Sequence, residues 1–458
     1  MERRIPMKLY STYRCKIKHY NHILKETIVR YRSAVDFCIQ VCLEHWEQIK
    51  QIKTPHQKQQ YVERLIHSTQ NNAAIYDFDV VFYKFPSYLR RTGITEAIGK
   101  VSSYYSNLEN WKKTEHSARG NKPGLPKAGF IYPCMYRDNM YQKTDGCTAR
   151  IKVWVNHTWD WIDVTLRKSD VDYINRYCRN RKSCAPTLMK RGKQWYLDFP
   201  FEEQVTLSDT KVQEQRILAV DLGLNNSCVC SVMQTDGTIL GRKFLKLSRE
   251  YDCLQHKIDH IKRAQCHGSR KVPALWRFAK YVNEDITAKT AAFILDIAVL
   301  YHVDVIVFEY LDLNGKKRGS KKQKLHLWKA RKVQSMVTDK AHRHGMRISH
   351  ICAWNTSRLA FDGSGKVLRG KESTKISDQN YSMCEFPSGK LYHCDLNASY
   401  NIGARYFIRE LLKSVSVTEQ QHILAKVPQC AKRSTCTLST LISLNAVLSS
   451  LMDLSYGV

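Results

Sequence analysis

The sequence predicts an α+β multidomain protein, in which a β domain broken by a helical insert precedes an α/β domain. Three observations carry this. Alternating segments at residues 7–20 and from 130 to about 205 enclose a long helical stretch at 21–117. The segment "RILAVDLGLNNSCVCSVMQTDGTILGRKFLKL" has three short apolar runs joined by turn residues, and helices and a further apolar strand follow it. With 458 residues, 43% of them apolar, the chain is long enough for about two to four domains with their own cores.

Each element has a local reason. "KLYSTYRCKIKHYN" alternates like a strand, and "ILKETIVRYRSAVDFCIQVCLEHWEQI" then turns to helical spacing. "RGNKPGLPKAGF" is a Gly/Pro-rich basic linker and a candidate boundary. "ARIKVWVNHTWDWIDVTLRK" alternates again, and "APTLMKRGKQWYLDFPFE" predicts a hairpin turning at Arg191-Gly192. In the α/β block the second turn falls at Asp236-Gly237, and the following helical region breaks near "CHGSRKVP". The strand "VDVIVFEYL" leads through the basic loop "NGKKRGSKKQK" to the helix "LWKARKVQSMVTDKAHRHG" and the strand "MRISHICAW". An irregular stretch at about 355–391 precedes the helix "DLNASYNIGARYFIRELLK".

Charge is the strongest global signal: 73 Lys and Arg against 42 Asp and Glu give a net charge of +31. Such an excess suits a polyanion, because each phosphate neutralised releases condensed counterions. An anionic membrane would attract the same charge, but no basic amphipathic anchor helix stands out. The first residues lack the apolar core of a signal peptide. The most apolar window, "AAFILDIAVLYHVDVIVF", carries Asp296, His302 and Asp304 and predicts a buried helix and strand, not a span. Sixteen scattered cysteines fit free thiols in a reducing cytosol, so a cytoplasmic protein is expected.

Three acids occupy comparable places. Asp221 ends the strand "RILAV", Glu309 ends "VIVF", and Asp395 stands at the start of the last helix. A lone acid at the end of an apolar strand is costly unless a positive partner meets it. A hard divalent ion answers that need, and carboxylates converging from two strands and a helix suit one or two Mg²⁺. Asp395 also gains from the positive end of the helix dipole. Plain N-capping is its alternative, as a strand-end turn role is for Asp221.

Taken together and in this order, the acids resemble those of the RuvC-like branch of the ribonuclease H fold, in the split form found in TnpB and the type V CRISPR effectors. The resemblance rests on "AVDLGLNNSC", "VIVFEYLDL" and "HCDLNASYNIGAR", on the basic helix between the last two, and on the order of domains. The N-terminal half matches by layout, with "FPSYLRRTGITEAIGKV" its best local likeness. The resemblance implies a β-barrel-like wedge domain at 1–20 and 118–212 and a helical recognition lobe at 21–117. It places the RuvC-like nuclease at 213–350 and 393–415, with a zinc-ribbon-like insert at 351–392 between. Residues 416–458 are left as a C-terminal arm or a poorly ordered tail.

The same resemblance implies an RNA-guided DNA endonuclease that cuts after guide RNA pairs with target DNA beside a short flanking motif. Asp221, Glu309 and Asp395 match its catalytic acids, holding Mg²⁺ or Mn²⁺, with two ions expected. The basic excess suits a protein that holds a heteroduplex of roughly 20 base pairs by its backbone. Lys316, Lys317, Arg318, Lys321, Lys322 and Lys324 follow the glutamate motif and would guide a strand or form a lid, or simply be a solvated loop. Tyr83, Lys84, Arg90 and Arg91 are candidates for the flanking DNA. No membrane partner is expected, and a monomer and a homodimer both fit.

The family's zinc ribbon uses two CxxC pairs, and here those positions hold Ala360, Gly363, Glu385 and Ser388. No structural zinc is therefore expected, although Cys352, Cys384, His393 and Cys394 leave a rearranged site open. Cys38 and Cys42, and Cys228 and Cys230, are expected as packed thiols, and the Cys178–Cys184 and Cys430–Cys436 spacings do not suit a zinc finger. Trp154, Trp159, Trp161, Tyr196 and Phe199 suit base stacking, or a core in alternating strands. A sugar-kinase-like ATPase would share the first motif, but needs a second Asp-x-Gly turn and a Gly-rich loop. A DDE transposase or junction resolvase would share the metals but not the helical insert, and a guide-dependent DNA-binding protein with suppressed cleavage remains the non-enzyme alternative.

Overall fold

The opening alternation forms one long strand, β1 (Ile5–Lys18), and the chain then turns helical. The computed structural model describes residues 5–19, 22–115, 119–136, 138–223, 227–269, 271–311, 329–373, 375–376 and 382–456. It is a mixed α/β chain with three sheets and twelve helices among the described residues. Two units separate by their internal contacts, Tyr10–Glu203 and Gln204–Val458, the latter with the first residues of β1.

In the first unit the helical stretch is α1 (His22–Glu44), α2 (Trp46–Gln51), α3 (Pro55–Ile66), α4 (Phe78–Val81) and α5 (Ser87–Lys113). Leu24, Ile28, Tyr31, Val35 and Ile39 recur at three- and four-residue spacing and are buried, which fixes the inward face of α1. Thr54 accepts from the Gln57 amide and Pro55 takes the first helical position, so α3 starts on both signals its sequence carries. The β elements follow as β2 (Tyr141–Lys143), β3 (Thr148–Val155), β4 (Thr158–Leu166), α6 (Lys168–Tyr177), β5 (Lys182–Ser183), β6 (Thr187–Arg191) and β7 (Gln194–Leu207). The hairpin expected at Arg191-Gly192 is present, with Arg191 paired to Gln194. The seven strands run β2-β3-β4-β1-β7-β5 with β6 also on β7. Among the described residues this hydrogen-bonded path is open, where the resemblance implied a barrel.

Trp159 and Phe199 are buried in the core of this unit, and Trp154 packs against it. Trp161 and Tyr196 are half-buried with Arg150 and Arg14 over their rings, at 5.7 and 5.3 Å. Cys38 and Cys42 are buried thiols, as expected.

The second unit opens with β8 (Arg216–Asp221), β9 (Cys228–Gln234) and β10 (Ile239–Leu245). Helices α7 (Ser248–Cys266) and α8 (Pro273–Leu300), strand β11 (Val305–Tyr310), helix α9 (Ala330–Arg343) and strand β12 (Arg347–Cys352) come next. A small hairpin, β13 (Met383–Glu385) and β14 (Leu391–His393), leads into α10 (Cys394–Ser414), followed by α11 (Val417–Lys426) and α12 (Leu438–Tyr456). The sheet order is β10-β9-β8-β11-β12, antiparallel through the first three strands and parallel from β8 to β12.

Alternate residues of a strand face opposite sides, and here each side finds its own helices. Ile217, Ala219, Val305 and Val307 join the core formed with α10 and α12, whereas Leu218, Val220, Ile306 and Phe308 join that of α8 and α9. Cys228 and Cys230 lie in the second of these cores. Gly403 lets α10 approach the sheet: a Cβ there would stand 3.0 Å from both Sδ and Cε of Met233 and 3.3 Å from Ala219. Gly403→Val is therefore expected to destabilise the protein by about 1–3 kcal/mol, measured by thermal unfolding, and an unchanged transition would refute this tight packing.

Where the sequence suggested an arm or a loose tail, the described residues after 415 form two helices. Ser416 and Glu419 form a reciprocal cap at the start of α11. Leu438, Leu441 and Leu444 of α12 are buried in the same core as α10. Among the described residues no helix is long and apolar enough to cross a membrane.

Candidate active site

Strand register decides where the acids fall. Asp221 pairs with Val229, and Val229 pairs on its other side with Phe244. In the parallel pair, Phe308 sits opposite Val220, so Glu309 stands beside Asp221 one step further along. Both carboxylates therefore share a rung and point to the face covered by α10, since neighbouring rungs alternate. Asp395 enters from that helix, in its first turn. His393, not Asp395, is the N-cap residue, so plain N-capping is not the role of Asp395.

All three acids are partly exposed. Burial, then the Glu309 and Asp395 carboxylates, push the Asp221 carboxyl well above the usual carboxylate range, with Arg369 pulling the other way. Burial raises Glu309 as well, opposed by the Thr356 hydroxyl, which donates to its Oε1, and by Arg405. The acids thus lie within electrostatic reach of one another. Among the described residues, no group of three His, Cys, Asp or Glu side chains is arranged to hold a metal. Asp304, at the opposite end of β11, is the contrasting case. Its carboxylate accepts from Ser208, Thr210 and the Arg216 amide at 3.1, 2.6 and 2.9 Å, which is how a structural acid is satisfied.

A buried polar ladder on α10 holds the surroundings of the acids. Asn397, Asn401 and Arg405 recur every four residues along one side of the helix and are all buried. Asn397 accepts from the Phe361 amide at 2.8 Å and donates to the Leu359 carbonyl at 2.9 Å. Asn401 donates to the carbonyls of Thr356 and Leu359 at 2.9 and 2.8 Å. Arg405 donates to four carbonyls: Cys352 at 2.8, Trp354 at 2.7, Ser434 at 3.0 and Cys436 at 3.1 Å. The ladder fixes the segment that carries Thr356, and Thr356 holds Glu309. The i, i+4, i+8 spacing of polar residues in "NASYNIGAR" was the available sequence signal for these positions.

The positions that the family uses for zinc have other duties here. Ala360 is buried with Val367, Cys384, Phe386 and Cys394. Gly363 turns at φ +82°, where a side chain would meet Ser439 Oγ at 2.9 Å. Glu385 accepts from Ser373 at 2.6 Å and pairs with Lys375 at 2.7 Å. Ser388 donates to Asp362 at 2.9 Å, tying the two turns together. Phe361 packs edge-on against Phe386, Tyr392 and Tyr400, with ring centres 4.9–5.4 Å apart. Of the rearranged set, Cys352 is exposed, whereas Cys384 and Cys394 are buried. A hydrogen bond between these two thiols holds Cys384 well above its usual range and Cys394 below it.

The remaining candidates separate. Tyr83 is exposed, with the Lys84 ammonium 5.2 Å from its ring centre. Arg90 is buried and bonds Glu63 at 3.1 Å, so its charge is spent inside the helical layer and not offered to DNA. Arg91 bonds the same carboxylate at 3.2 Å while remaining partly exposed. Lys316, Lys317, Arg318, Lys321, Lys322 and Lys324 lie outside the described residues.

Comparison with known proteins gives the following. The Aq_aa04 family matches residues 11–155. An uncharacterized protein, aq_aa04 of Aquifex aeolicus (strain VF5), is 42% identical over 48 residues, which is 10% of this chain and 28% of that protein. Among solved structures, the mini-RNA-guided endonuclease CRISPR-Cas_phi3 is 10% identical with a TM-score of 0.49, covering 86% of this chain and 92% of that one. A Cas12f1–sgRNA–target DNA complex is 12% identical with a TM-score of 0.32, covering 86% and 98%. C2c1 of Alicyclobacillus acidoterrestris with single-guide RNA is 12% identical with a TM-score of 0.39, covering 84% and 66%.

Proposed function

We propose that this chain is an RNA-guided DNA endonuclease whose second unit is a RuvC-like nuclease of ribonuclease H type. The observation that carries the reading is the rung shared by Asp221 and Glu309, with Asp395 brought to the same face by the start of α10. Three carboxyls crowded until burial and mutual repulsion raise Asp221 form a donor set suited to a hard divalent cation. Asp221, Glu309 and Asp395 would hold Mg²⁺ or Mn²⁺, which supplies an activated water and a stabilised leaving oxygen for phosphodiester hydrolysis. Thr356 orients Glu309, Gln334 donates to the Glu309 carbonyl at 3.0 Å, and Arg405 keeps the neighbouring backbone in place. The net charge of +31 suits a protein that grips guide RNA and target DNA by their phosphates. Tyr83 and Lys84 remain exposed for the flanking DNA motif.

The test is to purify the full chain, sequence the RNA that accompanies it, and offer DNA matching that RNA. A discrete RNA and cutting that needs Mg²⁺ are expected. Matched DNA left intact in Mg²⁺, with no RNA bound, would overturn the reading. The second reading is guide-dependent binding with cleavage suppressed, which RNA-directed binding of matched DNA without cutting in Mg²⁺ would support.

We also propose that the insert between β12 and α10 folds without zinc, because aromatic packing and the Asp362–Ser388 bond join its two turns. A chelator is expected to leave the unfolding temperature of the purified protein unchanged, whereas Phe361→Ala should cost about 2–3 kcal/mol. One tightly held zinc per chain in elemental analysis would contradict this.

A further inference from the structure

The rung that carries the acids continues to the edge of the sheet, where it ends in Phe244. This phenylalanine is 39% exposed, unusual for an apolar residue on a face otherwise covered by α10. Strand alternation places Arg242 on the same face, Lys246 follows just past the strand's end, and both are exposed. Arg242 lies 5.7 Å over the Tyr400 ring, which directs its guanidinium along the acid face. The His393 ring meets Phe244 edge-on with centres 5.1 Å apart, and His393 stands two residues before Asp395 in the chain. Its Nδ1 is buried and has no hydrogen-bond partner among the described residues.

We propose that Arg242, Phe244, Lys246 and His393 form the seat of the single DNA strand that is delivered to the acids. This rests on the nuclease reading above and names the side chains that position its substrate. Residues two apart on a strand stand about 6.7 Å apart, so Arg242 and Phe244 offer cation and ring at a spacing that consecutive nucleotides can follow, with a second cation just past the strand's end. A base stacks on Phe244 and phosphates meet Arg242 and Lys246, while the His393 ring, packed edge-on, holds Phe244 in place. Strands lie about 4.8 Å apart, which puts Phe244 about 10 Å from Asp221 across the rung. The strand would therefore be gripped close to the bond that is cut. A stacked ring and flanking cations tolerate any sequence, which suits an enzyme whose target choice is made by a guide.

Binding of fluorescein-labelled hexathymidylate by the full chain, followed by anisotropy in EDTA across a range of salt, tests this without cleavage. Phe244→Ala is expected to weaken binding about tenfold, and Phe244→Tyr to keep it within about twofold. Arg242→Gln with Lys246→Gln should lower the salt dependence of log K by about 1.4, two single-strand phosphate contacts. Unchanged affinity and salt slope in these variants would overturn the track. If they bind like the parent while Asp221→Asn still abolishes DNA cutting, the track is wrong and the nuclease reading stands. If binding falls as expected but the parent never cuts matched DNA in Mg²⁺, the strand seat stands and the nuclease reading fails.

Discussion

Replacing Asp221 by asparagine is expected to abolish DNA cutting and, in the same protein without metal, to raise the unfolding temperature. The two effects have one cause. Folding places the Asp221 carboxyl among Glu309 and Asp395 in a partly desolvated site, so its ionised form is disfavoured. An amide of the same shape removes that repulsion and is worth about 1 kcal/mol in stability. It also removes a metal ligand, which should lower the cleavage rate by at least about a thousandfold. Guide-directed DNA binding should persist at parental strength, because the basic surface is untouched. The pH dependence follows with a definite sign. A carboxyl raised above its unfolded value favours folding fully below the unfolded pKa, and that contribution is lost as pH rises through the raised value. The stability advantage of the asparagine variant over the metal-free parent should therefore grow as pH rises through that window and then level off. Cleavage by the parent should fail on acidification from above the usual carboxylate range, since Glu309 is raised too. An Asp221→Asn protein that still cuts, or that melts lower than the metal-free parent, would contradict the assignment.

Arg405 is the residue whose loss should destabilise the second unit most. Its guanidinium is buried, and its four hydrogen bonds go to carbonyls in two separate segments, 352–354 and 434–436. Arg405→Met leaves those carbonyls without donors in the core and is expected to cost about 3–5 kcal/mol. Arg405→Lys should recover only part of this, because a point ammonium cannot span a fork of four acceptors. Thermal unfolding of the full chain measures the loss. The variants also carry a chemical signature, since Arg405 opposes the rise of the Glu309 carboxyl. Without it the acidic limb of the cleavage profile should move to higher pH. A methionine variant with parental stability and an unmoved limb would show that the ladder on α10 is dispensable.

Much of this was legible in the sequence because strands, turns and helix starts are local signals. The three strands from Arg216, the break before Pro273 and the helix after His393 all lie where apolar spacing and turn residues put them. The acids stood out because a carboxylate closing an apolar strand has no local explanation. What depends on register did not show. Nothing in "GRKFLK" reveals that Phe244 shares a rung with Asp221, since pairing is settled between strands far apart in the chain. Arg90 looked like a surface cation because Glu63, its partner, comes from another helix. The last forty residues looked loose because Ser and Thr are interspersed through "LSTLISLNAVLSSL" and blur the apolar spacing that buries Leu438, Leu441 and Leu444.

The ladder on α10 has a consequence for the order of biosynthesis. Asn401 accepts from the Leu438 amide, and Arg405 bonds the carbonyls of Ser434 and Cys436, partners that lie 20 to 24 residues beyond the end of the helix at Ser414 and are therefore made after it. A nascent chain that has released Asp221, Glu309 and Asp395 from the exit tunnel still lacks the acceptors that settle Arg405. The setting of the carboxylates is thus completed only once residues 434–438 have been made, so a chain cut short before residue 434 lacks the frame that holds Arg405.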